Sequence, residues 1–417
     1  MAIGLDIGTG GVRGCLIDGK GGVVDLAEDP IDRSGRHDPQ RVIDAAFTVL
    51  AELSSGPAGG CAETIAVAGT SGSIVALDDS GSPIGPLSLY DDHPTPGARH
   101  RVLALGPAAF QRGASVDVVA RCLDVSQRPG VSRLAFEADY VARALARRDL
   151  PTDLNNALKA GGDPVKRRWP DWLATLGLTD RVLPALVEPG QRLCAIDEGL
   201  SAKLGFSSPP AIAAGTTDGC AAALAAGLSE FGDAVTSLGT TLVLKVLSDR
   251  PVFSAEHGIY SHRMRGSWLA GGASRAGGAI LRHVFGDAAL ETLADHPIAD
   301  APSSLSYVPL LSSGERFPVA DPHLQPVLDP RPPSDNAYFL AIIDALVRWE
   351  QRGYDALTAR GAPRVRRLSA VGGGTRNMAW MRTRRRDMGF ARFQAQSQMT
   401  ACGAARLAQS AAAPAKT

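Results

Sequence analysis

No window of this 417-residue chain approaches the roughly 18 continuous apolar residues of a membrane span, so a membrane-embedded protein is not expected. Met1 to Asp6 run straight into a strand-like pattern, with no basic stretch, apolar core and cleavage site, and the expectation is a protein that is not secreted. An excess of one charge is missing too. The chain has 43 basic and 43 acidic residues and a formal net charge of zero, which gives no support to nucleic acid or an acidic membrane as partner. Its six cysteines (Cys15, Cys61, Cys122, Cys194, Cys220, Cys402) form no CxxC and no cluster with histidine, and the eight histidines form no HExxH. A zinc site is therefore not expected, and reduced, mostly buried thiols in a cytoplasmic protein are. GxxxxGK[ST] is also absent, and Gly372-Gly373-Gly374 lacks the spacing of GxGxxG, which argues against a P-loop kinase and a dinucleotide-binding dehydrogenase.

What is present reads as α/β. At 45% hydrophobic and 21% charged residues the composition is that of a globular protein, and the length suits two domains. Ala2 to Ile7, Val12 to Ile17 and Val23 to Ala27 read as a three-strand meander with Gly-rich turns. Asp38-Pro39 reads as a helix start, with Val42, Ile43, Ala46, Val49, Leu50 and Leu53 at helical spacing behind it. Two more strands follow at 64–68 and 73–77, then a mixed, mostly helical stretch over 95–210 with a helix near Leu134 to Arg147. From Ala211 the opening pattern returns. A short strand to Ala214 precedes an Ala-rich helix, 234–238 and 241–247 form strand–turn–strand, 336–360 is a long helix, and 368–371 is a strand. Two related lobes joined near residue 210, each a sheet flanked by helices, account for this recurrence.

Five short segments could carry chemistry. Asp6-Ile7-Gly8-Thr9-Gly10-Gly11 combines a strand-end carboxylate, suited to a divalent cation, with glycines whose amides can approach an anion; an ordinary hairpin turn is the plain alternative. Ser237-Leu238-Gly239-Thr240-Thr241 repeats the anion-cradling pattern in the second half. In Gly215-Thr216-Thr217-Asp218-Gly219, Asp218 is either a general base for a hydroxyl attacking phosphorus or a helix cap, a duty Thr216 could share. Gly372-Gly373-Gly374-Thr375-Arg376-Asn377 could pass beside phosphates or a purine, with Asn377 reaching a base edge or capping a helix and Trp380 packing on a flat ring. Gly69-Thr70-Ser71-Gly72 offers hydroxyls to a polyol or is a polar turn. Arg382, Arg384, Arg385 and Arg386, followed by Asp387, read as a solvated helix face rather than a nucleic-acid patch.

Together these segments, in this order, resemble the FGGY carbohydrate kinases, the group that contains glycerol kinase, xylulokinase and ribulokinase. The likeness runs from Gly4-Leu5-Asp6-Ile7-Gly8-Thr9 to Gly403-Ala404-Ala405-Arg406-Leu407. The chain looks most like a compact branch of D-ribulose kinases, earlier labelled xylulokinase-like, through Ala234 to Lys245, Gly271-Gly272-Ala273-Ser274, Gly314 to Pro322 and Asn156-Ala157-Leu158-Lys159.

The resemblance implies two actin-like (ribonuclease H-like) ATPase lobes with a cleft between them: a sugar-binding lobe over 1–210, a nucleotide-binding lobe over 211–409 and a frayed tail at 410–417. It implies ATP, Mg²⁺ and a small sugar substrate, and leaves a homodimer open. Asp218 would be the catalytic base, Asp6 and Asp218 would hold the metal, and Asp6, Ser71 and Asp218 would contact substrate. Gly8, Thr9, Gly239 and Thr240 would bind phosphates, and Gly373, Gly374, Asn377 and Trp380 would line the nucleotide site. The implied reaction is phosphorylation of D-ribulose to D-ribulose 5-phosphate. Xylulose or another ketose or polyol is the alternative acceptor, and a non-catalytic sugar- and ATP-binding sensor the alternative class. The chain departs from the family pattern at Gly10, Ala68, Arg275 and Met399, where Ser, Asp, Asn and an acidic residue are common. Ala68 and Arg275 bear on the identity of the sugar.

Overall fold

The computed structural model describes residues 1–56, 58–392, 395 and 399–412. Packing divides the chain into two units: Met1–Ala225 with His262–Gly266 and Met399–Thr417, and Ala226–Ser261 with Ser267–Gln398.

Unit 1 begins with β1 (Ala2–Gly8), β2 (Gly11–Ile17), β3 (Val23–Pro30) and β4 (Thr64–Gly69). It continues with the short strands β5 (Ile74–Leu77), β6 (Arg133–Phe136), β7 (Thr152–Asp153) and β8 (Leu186–Val187), then β9 (Arg192–Ala195) and β10 (Ala211–Thr217). Its main sheet has the order β3-β2-β1-β4-β10-β9. β1 to β3 form the expected antiparallel meander, while β4 runs parallel to both β1 and β10. A central strand covered on both faces must be apolar throughout, and β1 is buried from Ala2 to Ile7. Ile3, Leu5 and Ile7 join a core with Val42, Val49 and Leu53 of α1 (Pro39–Ser55). Asp38 caps that helix by accepting from Gln40 N at 2.9 Å, with proline at its first turn.

The remaining helices of this unit up to residue 226 are α2 (Pro96–Leu103), α3 (Val116–Ser126), α4 (Glu137–Ala146), α5 (Leu154–Leu158), α6 (Glu198–Lys203) and α7 (Asp218–Ala226). The helix expected from Leu134 starts only at Glu137, because Leu134 to Phe136 are taken up by β6, which pairs with β5. The strand expected to stop at Ala214 runs on to Thr217, which puts Gly215, Thr216 and Thr217 inside the sheet.

Unit 2 repeats the plan with β11 (Asp233–Leu238), β12 (Leu242–Ser248), β14 (Ser267–Ser274), β15 (Arg367–Val371) and β16 (Ala391–Arg392); with β13 (Tyr260–Met264), whose residues from His262 are counted in unit 1, the sheet order is β13-β14-β12-β11-β15-β16. As in unit 1, a hairpin of the two leading strands lies beside a parallel neighbour, here β11 with β12 and β15. Helices α8 (Gly278–Leu293), α9 (Asp335–Ala359) and α10 (Met378–Asp387) cover it. α9 carries its apolar residues into the core with Leu238, Leu242 and Leu244.

The chain ends as α11 (Thr400–Ala412), which packs on the face of β1 opposite α1, where Ala2, Cys15, Ala66 and Ala213 meet Ala401, Cys402 and Ala405. Small residues let backbones touch. A Cβ at Gly4 would lie 2.1 Å from Ala401 O, and one at Gly403 would lie 1.8 Å from Ala221 O of α7. The family-like Gly403-Ala404-Ala405 run is thus a packing surface, and Arg406 donates to Leu224 O and Ala225 O at the end of α7.

The division at residue 210 needs correction. β10 is fully buried in the sheet of unit 1 and α7 packs against α11, so 211–225 belong to unit 1, and so does the segment from Met399. Ser410, Ala411 and Ala412 continue α11 rather than fraying, and 413–417 lie outside the described residues. The arginines of α10 are not simply a solvated face. Arg384 is buried against Glu350, Arg386 pairs with Asp344 and Asp387, and Arg382 with Asp295. No helix among the described residues is long and apolar enough to cross a membrane.

Candidate active site

In unit 1 the carboxyl ends of β1, β4 and β10 lie side by side. Asp6 registers with Ala68 and Ala68 with Thr216; Ile7 registers with Gly69 and Gly69 with Thr217. Strand ends of this kind are where open α/β sheets place ligands. The register shifts between Ala213 and Thr216, at a Gly215 whose Cβ would fall 2.1 Å from Val67 O. The irregularity redirects the chain just before Asp218 opens α7. Asn155 braces this strand, donating to Thr216 Oγ1 and Arg263 O, each at 2.9 Å, and accepting from Arg263 N at 2.7 Å. Asp153, which caps α5 and holds Asn155 N at 2.8 Å, is buried with Asp139; burial raises both carboxyls above their ordinary range, and the charge of Asp153 raises that of Asp139 further.

Asp6 and Asp218 form the acidic pole. Asp6 is buried, and its Oδ1 has no hydrogen-bond partner. Burial first, then the charge of Asp218, pushes its pKa up to about 7, while Arg13 and Arg36 pull the other way. Asp218 is half-buried and its Oδ1 accepts from Gly219 N at 2.7 Å. Two neighbouring carboxylates, one with an orphaned oxygen, fit a divalent cation that keeps several waters and takes one or two protein carboxylates. Among the described residues no cluster of three or more acidic, His or Cys groups offers an all-protein cage. Beside Asp6, the bend of the β1–β2 hairpin exposes Thr9 and Gly10, and a Cβ at Gly8 would sit 3.4 Å from Arg13 Nη1.

Around this pole lies a buried polar network that sequence reasoning missed. Arg36 and Glu137 are 2% and 0% exposed and paired at 2.5 Å. Glu137 Oε2 accepts from Thr70 Oγ1 at 2.9 Å, Thr70 bonds Ser73 Oγ at 2.6 Å, and Ser73 Oγ accepts from Tyr90 N at 3.0 Å. Arg36 Nη1 and Ser71 Oγ, like Asp6 Oδ1, are buried without partners. A donor, a hydroxyl and an acceptor left open inside one unit are what a polyol can satisfy. Ala68 packs with Ala221 and Ala404 and contributes no polar contact. Arg36 carries no local signal, and Glu137 fell in a segment read as mid-helix; only burial reveals them.

Unit 2 gathers three glycine segments. Gly278 N donates to Gly239 O at 2.8 Å, and a Cβ at Gly277 would lie 2.5 Å from Thr240 O. A Cβ at Gly374 would lie 2.7 Å from Leu238 Cβ and 2.8 Å from Leu238 O. The bend carrying Gly239 and Thr240 is therefore held between the start of α8 and the Gly373–Gly374 turn, with Thr240 and Gly373 exposed. Gly277-Gly278 were missed, although a glycine pair between a strand and a helix is the signature that singled out Gly373-Gly374. Asn377 caps α10, accepting from Trp380 N at 2.9 Å. Trp380 requires correction: it is 1% exposed, in the core, and cannot stack on a ligand ring. It instead props the turns, its ring 3.0 Å from a Cβ at Gly374 and 3.8 Å from one at Gly278. Arg275 is exposed and tied to Ser312, Ser313 and Gly314 of its own unit. Met399 packs against the alanine cluster under α11.

Residues 234–412 match the C-terminal domain of the FGGY family of carbohydrate kinases. The chain is 28% identical over 413 residues to a xylulose kinase of Streptomyces coelicolor, covering 93% of this chain and 83% of that protein. The fold superposes on a xyloylose kinase from Brucella ovis with a TM-score of 0.88 at 24% identity, over 98% of this chain and 90% of the other. A xylulose kinase from Rhodospirillum rubrum gives 0.84 at 24% identity, over 98% and 89%. Each unit accordingly has the actin-like fold, and residues 234–412 form a C-terminal domain of the FGGY family of carbohydrate kinases.

Proposed function

We propose that the protein transfers the γ-phosphoryl group of ATP to a hydroxyl of a ketopentose, D-ribulose by the branch it resembles. D-xylulose is the second reading, favoured by the names of the relatives. The observation that carries the proposal is the convergence, within unit 1, of Asp6 and Asp218 on buried polar groups left without partners.

Asp218 accepts the proton of the attacking hydroxyl. Arg36, Ser71 and the Glu137–Thr70 pair hold the other hydroxyls and the carbonyl, which fixes the attacking oxygen's direction. In unit 2 the glycine segments at 239–240, 277–278 and 373–374 present backbone to the phosphates of the donor. Mg²⁺, held by Asp6 and Asp218, would supply charge neutralisation at the phosphoryl oxygens. The Arg36–Glu137 pair is neutral as a unit, which suits an uncharged sugar better than a sugar acid.

An ADP-release assay over D-ribulose, D-xylulose, L-ribulose, glycerol and D-gluconate, with and without Mg²⁺, tests this. The expected result is Mg²⁺-dependent release, fastest with a ketopentose. Faster turnover of glycerol or gluconate would overturn the ketopentose assignment, and release indifferent to any sugar would overturn the kinase mechanism.

A further inference from the structure

We propose that Cys15 and Cys402 form a site of reversible oxidation, closing a disulfide between β2 and α11 when a small peroxide reaches the interior of unit 1. Their sulfurs lie 2.6 Å apart, nearer than two thiols settle without interacting and close to bonding distance. Both are buried, at 0% and 1% exposure, in the alanine-lined layer between the sheet and the last helix. The backbone holds them there. Cys15 registers opposite Gly4 across the hairpin, and Gly4 is where α11 touches β1. Bond formation therefore needs the two sulfurs to close from 2.6 Å to about 2.05 Å.

The chemistry balances with hydrogen peroxide as oxidant. One thiol sulfur attacks a peroxide oxygen, the O–O bond breaks, and a sulfenic acid and one water result. The second thiol attacks the sulfenic sulfur, the S–O bond breaks, and the disulfide and a second water are released. Two protein thiols lose two electrons and two protons in all. A thiol reductant reverses the step by exchange. The mutual hydrogen bond, and then burial, hold Cys15 well above the ordinary thiol range, so oxidation of the folded protein is slow and favours the smallest oxidants.

The bond would have a structural consequence. Unit 1 is assembled from separate stretches, and its last one, from Met399, returns only after the whole of unit 2. Packing and a few side-chain hydrogen bonds, but no covalent link, hold α11 in place. A disulfide joining residues 387 apart would fasten the returning helix to the first hairpin and restrict the unfolded chain.

The test uses the full chain carrying Cys61→Ser and Cys194→Ser, which removes the exposed and half-buried thiols. After peroxide treatment, denaturation and alkylation, a non-reduced digest is read by mass spectrometry. The expected product is one linked peptide pair containing Cys15 and Cys402, two hydrogens lighter than its parts and separated by reductant. Thermal unfolding of the oxidised protein should rise by roughly 5 °C. Neither change should occur in the Cys15→Ser or Cys402→Ala variant. If both cysteines are recovered alkylated, carry higher sulfur acids, or are linked to other residues, the proposal fails. The linked-peptide readout needs no variant at either position, so poor folding of Cys15→Ser leaves it decisive.

Discussion

Both units contain a buried Arg–Glu–Thr trio, and the two trios are finished differently. In unit 2, Glu350 takes Arg384 Nε and Nη2 at 2.8 and 2.7 Å, Arg384 Nη1 rests on Met381 Sδ at 3.8 Å, and Thr236 bonds both Glu350 and Tyr354. In unit 1, Glu137 takes Arg36 and Thr70, but Arg36 Nη1 has no partner, and neither do the nearby Ser71 Oγ and Asp6 Oδ1. The same side chains make a closed joint in one sheet and an open one in its counterpart. Folding alone rewards closure, because an unpartnered buried polar group costs about 1–3 kcal/mol. The open trio is therefore the one we propose meets a ligand.

This contrast can be broken from either side. The largest effect is expected at the closed trio. Glu350→Gln leaves the Arg384 guanidinium buried without a counter-charge and should cost about 3–5 kcal/mol in urea unfolding, with KM for sugar unchanged in the protein that stays folded. A shift in sugar KM instead would mean that unit 2 also contacts the acceptor. At the open trio, Arg36→Met with Glu137→Gln keeps the interior neutral while removing the unpaired donor. Sugar KM should rise roughly 10–100-fold and ATP KM should hold, the loss of one to two charge-assisted hydrogen bonds. In unit 2, Gly374→Ala forces a Cβ against Leu238, displacing the turn, and should raise ATP KM about tenfold without changing sugar KM.

The smallest effect concerns the Asp139–Asp153 pair behind β10. Their folded pKa values lie above the unfolded ones, so the native state binds the extra proton between the two. The stability this gives is complete below the unfolded carboxylate range near pH 4 and is lost as pH rises through the folded values. Asp139→Asn mimics the protonated acid. It should stabilise the protein at pH 8 by about 1–2 kcal/mol and change little at pH 4, as thermal unfolding at the two pH values would show. Equal gains at both would contradict proton uptake by the buried pair on folding.

Much of this was legible beforehand. Apolar runs and Gly-rich turns marked the leading hairpin of each sheet, and Asp6, Ser71, Asp218 and Gly239 each lie at or beside a strand end. What failed depended on burial and long-range pairing. Trp380 looks in sequence like a residue that stacks on a ring, but it is buried in the core under the glycines at 278 and 374. Arg36 and Glu137 are 101 residues apart and become a pair only when α4 folds against the loop before α1. The joint was expected near residue 210, yet Ala211 to Thr217 pair with β4, a contact across about 150 residues that local composition does not report.

The central claim is that Asp218 is the base and that unit 2 holds the donor without it. Turnover and ATP affinity of Asp218→Asn, measured on one preparation with the best ketopentose, test it most directly. The account predicts kcat lower by about 10²–10⁴ with ATP binding retained. Near-normal kcat would contradict it.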